Sequence, residues 1–203
     1  MRNFIVSSKL FRDKYGIWNS IYDEDIQKFL NLLNLKIYPF LQNKGKISKS
    51  FKKADGLLLL GGGNLYKYDK KEENRLRDNI EKKLFKYFYR SNKPIIGICR
   101  GFQMIMDIYG VQMKKGKGHI RKFHNLKLES SRFLKLKNIT VNSYHNYIVE
   151  KLPINFNIVS KMKDGSIEIS EHKHKKILCF MFHPERKMKS QKKLISEIKK
   201  FLK

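Results

Sequence analysis

Four short apolar runs, Asn3 to Ser7, Gly56 to Leu60, Pro94 to Ile98 and Ile177 to Phe182, alternate with longer stretches in which apolar residues recur at helical spacing. That alternation predicts an α/β fold with a mostly parallel central sheet flanked by helices, because parallel strands need helical crossovers and are buried on both faces. Between the first two runs, Asp23 to Leu35 sets Ile26, Phe29, Leu30 and Leu33 on one helical face, and Lys36 to Phe40 follows as a short strand. Glu72 to Arg90 carries Leu76, Ile80, Leu84 and Tyr87 at three- to four-residue steps until Asn92-Lys93-Pro94 ends it. A further helix, Phe102 to Tyr109, is expected directly after the third run, with Gly110 placed for a left-handed cap. From Gln112 to Glu171 the pattern changes to short strands, such as Asn138 to Ser143 and Ser166 to Ser170 beside the Asp164-Gly165 turn.

Composition narrows this picture. At 203 residues, with no internal repeat or low-complexity linker, the chain is expected to form one domain, residues 1–203. No apolar run approaches the roughly 20 residues that cross a bilayer, and no cleavable leader precedes the first strand, so no membrane partner is expected. Two cysteines, Cys99 and Cys179, each in or beside an apolar run, form neither a disulfide framework nor a metal cluster, which suits a reducing cytoplasm. The net charge of +27 would ordinarily point to nucleic acid. The basic residues are mostly Lys and are spread along the chain, and no helix-turn-helix, zinc-finger or aromatic RNA-binding pattern accompanies them. A solvated Lys-rich surface accounts for most of the charge; a positive field that draws an anionic small-molecule substrate into a cleft is the functional alternative.

The sharpest chemical signal is GICRGFQ, Gly97 to Gln103, which puts Cys99 at the turn between a strand and a helix. Gly97 and Gly101 flank it at the spacing of a nucleophile elbow, where strand and helix pass too close for side chains. The positive end of the helix would favour thiolate over thiol. Cys179, inside its run, reads as a buried structural residue. FHPE, Phe182 to Glu185, ends the last strand: His183 would emerge at the sheet edge that carries Cys99, and Glu185 could hold the far imidazole nitrogen. Gly61-Gly62-Gly63-Asn64 ends the second run and could aim backbone N–H groups at an oxyanion, together with the N–H of Arg100. Such a loop can equally cradle a phosphate, although no Lys-Ser or Lys-Thr follows to complete a nucleotide-binding loop.

These pieces in this order, with GHIRKFH (Gly118 to His124) and VNSYHNYIV (Val141 to Val149) between them, resemble the class I glutamine amidotransferases, specifically their γ-glutamyl hydrolase-like branch. The resemblance spans most of the chain and implies a flavodoxin-like sheet and a Cys99-His183-Glu185 triad. That triad would attack a γ-glutamyl amide, release the amine and hydrolyse the thioester. It further implies that Gln103 holds the glutamyl group, that Asn142, Ser143, Tyr144 and His145 line the same pocket beside Gly62 and Gly63, and that no cofactor or metal is needed. His119 and His124 match the pattern in structural or pocket-lining roles, whereas His172 and His174 read as a solvated loop. Two departures fall at the leaving-group end: Asn64 replaces an Asp common in relatives, and Tyr147 stands where members acting on small amines often carry Gln. With the basic balance, they make the chain resemble the γ-glutamyl-CDP-amidate hydrolases, whose substrate is a nucleotide-linked glutamine used in capsule polysaccharide modification. Three alternatives remain: a hydrolase of γ-glutamyl small amines, a glutaminase component of a synthase, and a nucleic-acid-binding protein on a non-catalytic scaffold. The sequence leaves oligomeric state open.

Overall fold

The computed structural model describes residues 1–38, 42–43, 46–47 and 49–203. The chain begins with β1 (Arg2–Val6), the paired strands β2 (Lys9–Arg12) and β3 (Trp18–Ile21), α1 (Glu24–Leu33), β4 (Leu35–Ile37), the short pair β5 (Gln42–Asn43) and β6 (Lys46–Ile47), and β7 (Gly56–Leu59). Then come α2 (Glu72–Arg90), β8 (Ile95–Ile98), α3 (Arg100–Ile108), β9 (Lys114–Lys115), β10 (Ile120–Lys127), β11 (Asn138–Tyr144) and β12 (Tyr147–Ile148). The chain closes with β13 (Phe156–Lys161), β14 (Ile167–His172), β15 (Ile177–Phe180) and α4 (Gln191–Leu202).

Seven strands form the central sheet in the order β13-β14-β15-β8-β7-β1-β4. The five from β15 to β4 run parallel, while β14 and β13 join antiparallel at one side. The four apolar runs are β1, β7, β8 and β15, and they are continuous rather than alternating because helices cover both faces. One face packs against α1 and α4 through Phe29, Leu30, Ile198 and Phe201; the other packs against α2 and α3 through Leu84, Phe88, Phe102 and Ile105. Each such side chain, fully buried, contributes about 1.5–3 kcal/mol.

Boundaries depart from expectation where capping decides them. The first helix stops at Leu33 because Asn34 takes a left-handed conformation (φ 57°) and donates its N–H back to the last turn. The strand expected over Lys36 to Phe40 is β4, one residue earlier; positions 39 and 40 lie outside the described residues. In α2, Leu76 and Tyr87 are only half-buried, and the inward face carries Arg77, Asp78 and Glu81 alongside Ile80 and Leu84. His172 is a correction: it is a buried β14 residue whose Nδ1 accepts the N–H groups of His174 and Lys175, and only His174 is exposed. Among the described residues, no helix is long and apolar enough to cross a membrane.

Candidate active site

The turn from β8 into α3 is strained where the chemistry would be. Cys99 sits at φ 49°, ψ −104°, a backbone region that non-glycine residues rarely occupy and that folded proteins keep mainly at functional sites. The turn is this tight because the helix passes against β7: a Cβ on Gly101 would lie 2.2 Å from the Leu59 carbonyl oxygen, and one on Gly97 would lie 2.8 Å from Ile105. Both glycines are therefore steric requirements of the elbow. The Cys99 N–H donates to the Phe180 carbonyl at 2.7 Å, continuing the parallel register between β8 and β15. That register delivers His183, three residues beyond β15, to the same edge of the sheet.

His183 is fixed from two sides. Its Nδ1 lies 2.5 Å from Glu185 Oε1, and its backbone is clamped by Asn142, whose Nδ2 donates to the His183 carbonyl at 2.8 Å and whose Oδ1 accepts the His183 N–H at 2.9 Å. Burial alone would suppress the imidazolium, but the charges of Cys99 and Glu185 and hydrogen bonds to both outweigh it, and the His183 pKa rises to about 10. Gly61 completes the contact, since a side chain there would lie 2.6 Å from His183 Cε1 and 3.3 Å from Cys99 Cβ.

The glycine loop is held by its carbonyls. Arg77 donates to the carbonyls of Leu60 (2.7 Å), Gly61 (3.2 Å) and Gly62 (2.8 Å), and Arg100 Nε donates to that of Asn64 (3.1 Å). Both guanidiniums are buried and anchored in turn by carboxylates: Arg77 on Glu81 at 2.8 Å, Arg100 on Glu81 and Asp78. Burial is the main cause that lowers the Arg77 pKa to about 10, which still leaves it charged. Gly62 and Gly63, both left-handed (φ 82° and 73°), face a cavity of about 350 Å³ together with Cys99, Gln103, Tyr144 and His183. A second cavity of about 280 Å³ opens on the other side of Gly62 and His183, and Lys9 and Arg186 bring positive charge to it; Arg186 reaches both.

The expected pocket residues divide. Gln103 lines the cavity, with Nε2 donating to the Tyr147 carbonyl at 3.3 Å, and Tyr144 sets its ring edge-on to His183 (centroids 5.8 Å apart) beneath the Arg186 guanidinium. His145 also borders the cavity, but its ring nitrogens face the Tyr147 carbonyl and Glu168. Asn142 and Ser143 do not line it: β11 is interior at these positions, so Asn142 positions the His183 backbone and Ser143 Oγ donates to the His119 carbonyl at 2.7 Å. The Arg100 side chain points into the carboxylates of α2, which leaves only its backbone N–H to serve the elbow. Tyr147 is already stacked, on Tyr68 at 4.4 Å. Sequence reading missed Arg77, Asp78 and Glu81, for which the i, i+4 spacing of Arg77 and Glu81 was the available signal, and Lys9 and Arg186, for which there was none.

The chain is 29% identical over 171 residues to a γ-glutamyl-CDP-amidate hydrolase of Campylobacter jejuni, covering 83% of this chain and 78% of that one. It is also 29% identical over 171 residues to a glutamine-hydrolysing GMP synthase component of Methanococcus aeolicus, covering 81% and 82%. In fold it resembles a candidate GMP synthase component of Thermoplasma acidophilum (TM-score 0.74, 21% identity, 100% of this chain and 94% of that). A glutamine amidotransferase of Thermotoga maritima is similar as well (TM-score 0.68, 18% identity, 99% and 83%). The family model for glutamine amidotransferase class-I matches residues 23–201, nearly the whole of the sheet and its helices, and the chain belongs to that family.

Proposed function

We propose that the chain, acting as one domain, hydrolyses a γ-glutamyl amide with Cys99 as nucleophile, His183 as proton carrier and Glu185 as its orienting carboxylate. The observation that supports this most is the strained Cys99 elbow, which meets His183 across Gly61, with His183 itself held on Glu185. Cys99 Sγ attacks the γ-carbonyl, and the oxyanion is met by backbone N–H groups of Gly62, Gly63 and Arg100, each donor being worth about 10²–10³ in rate. The imidazolium of His183 protonates the departing nitrogen, and the C–N bond breaks to leave a glutamyl thioester. Water, deprotonated by His183, then cleaves the thioester and releases glutamate. Gln103 and Tyr144 hold the glutamyl end.

The leaving group we propose is cytidine diphosphoramidate, so that the substrate is γ-glutamyl-CDP-amidate and the setting cytoplasmic capsule biosynthesis. The C. jejuni relative, the net charge of +27, and the cations Lys9 and Arg186 beside His183 favour an anionic leaving group. The GMP synthase relatives favour a second reading, a glutaminase that passes ammonia to a synthase partner. Glutamate release from γ-glutamyl-CDP-amidate, measured beside L-glutamine, separates them. We expect a strong preference for the nucleotide, lost by more than about 10⁴-fold in Cys99→Ala. Preference for L-glutamine that rises with a synthase partner would establish the second reading, and full activity in Cys99→Ala would remove the triad. Activity should also persist through neutral pH and fall as pH rises towards 10, where His183 loses the proton it delivers.

A further inference from the structure

Three side chains from distant segments converge behind the cavity wall: His119 just before β10, His145 just after β11, and Glu168 in β14. Their exposures are 2%, 2% and 0%, and one nitrogen or oxygen from each lies within 4.8 Å of the others. His145 Nε2 is 3.4 Å and His119 Nδ1 3.8 Å from Glu168 Oε1, both longer than an N–H···O bond of about 2.7–3.2 Å. His119 Nδ1, His145 Nε2 and Glu168 Oε2 are buried with no hydrogen-bond partner. Ser166 Oγ lies 3.4 Å from Glu168 Oε1, but its one proton is directed to Asp164 Oδ1, nearer at 2.8 Å.

The opposite nitrogens of both rings explain the arrangement. His119 Nε2 meets Asp164 Oδ2 at 2.7 Å and His145 Nδ1 meets the Tyr147 carbonyl at 3.0 Å. Both partners only accept, so each ring places its proton there and turns a lone pair towards Glu168. With neutral rings, three electron-pair donors face one another in a buried spot, which is unfavourable unless a proton or a metal cation sits among them. An imidazole bound to metal through one nitrogen and to a carboxylate or carbonyl through the other is how protein metal sites are built. The His145–Glu168 separation also matches the spacing of about 3.3 Å that tetrahedral zinc imposes on ligands at 2.0–2.1 Å.

We propose that His119, His145 and Glu168 bind a divalent cation of the zinc class. The ion is structural: it ties together segments around positions 119, 145 and 168, and it steadies the Tyr147 carbonyl that also receives Gln103. No step of amide hydrolysis passes through it.

The test uses the full chain, produced with zinc, dialysed and analysed by mass spectrometry for metal, beside Cys99→Ala and Glu168→Gln. We expect about one zinc per chain in wild type and in Cys99→Ala, and a loss of affinity beyond about 100-fold in Glu168→Gln. Cobalt should give the visible absorption of a tetrahedral site in the first two proteins only. Should Glu168→Gln fail to fold, the melting temperature of wild type decides: it falls on chelation and returns with zinc but not with magnesium. Wild type that retains less than about 0.1 equivalent and does not respond to added zinc would mean a water-filled polar pocket and overturn the proposal. Zinc lost in Cys99→Ala would assign the ion to the thiolate and overturn it equally.

Discussion

Two buried polar clusters adjoin the Cys99 elbow, and their charges are met in different ways. In the cluster of Arg77, Asp78, Glu81 and Arg100, every carboxylate oxygen has its own partner: Glu81 takes one guanidinium on each oxygen, and Asp78 takes Arg100 on one and the Tyr66 N–H on the other. In the cluster of His119, His145 and Glu168, the facing nitrogen of each ring and Glu168 Oε2 lack partners, and Glu168 Oε1 has only a long contact to Ser166 Oγ. The first cluster is closed, and its function is mechanical, because the same guanidiniums hold the glycine loop by its carbonyls. The second is open, which is why it calls for a component from outside the chain. Buried charge is tolerated when the protein supplies the opposite charge, and an unmatched set indicates that something else does.

The comparison breaks most visibly at Glu81. Glu81→Gln removes the charge that two buried arginines share and should cost about 3–5 kcal/mol in urea unfolding. A loss below about 1 kcal/mol would mean that water reaches this cluster after all. A smaller effect is expected at Asp164, which is half-exposed and touches His119 only through Nε2. Asp164→Asn keeps an acceptor for Ser166 but weakens the support of His119, so zinc affinity should fall by about 10–100-fold in a competitive titration. The smallest effect sharpens the contrast. With metal stripped, Glu168→Gln should change stability by no more than about 1 kcal/mol, since the carboxylate it replaces makes only long contacts to its neighbours. If metal-free Glu168→Gln were as damaged as Glu81→Gln, the two clusters would be equally closed and the contrast would fail.

How much of this was legible in advance follows from how far each interaction reaches along the chain. The elbow was legible because it is local: Gly97, Cys99 and Gly101 lie within five residues, and one turn dictates all three. Glu185 was legible beside His183 for the same reason. Asn142 was placed in the pocket but lies 41 positions from the His183 backbone it clamps, and only the completed fold brings β11 against the segment after β15. His172 was placed on a solvated loop because lysines surround it in sequence, yet β14 runs on to include it, and Phe156 and Tyr89 cover its ring. Glu81 was hidden by a helix pattern read through its apolar positions, which records where a face lies but not that the face buries ions.

The sequence by itself determined the parallel sheet, the order of its strands' chemistry and the positions of Cys99, His183 and Glu185. Continuous apolar runs, glycine spacing and strand ends are properties of short segments, and local backbone physics suffices to interpret them. Only the tertiary structure decided which buried polar groups find partners. Hydrogen bonds and ion pairs act over a few ångströms, and the groups that meet at His119, His145 and Glu168 come from segments that only the completed fold brings into contact.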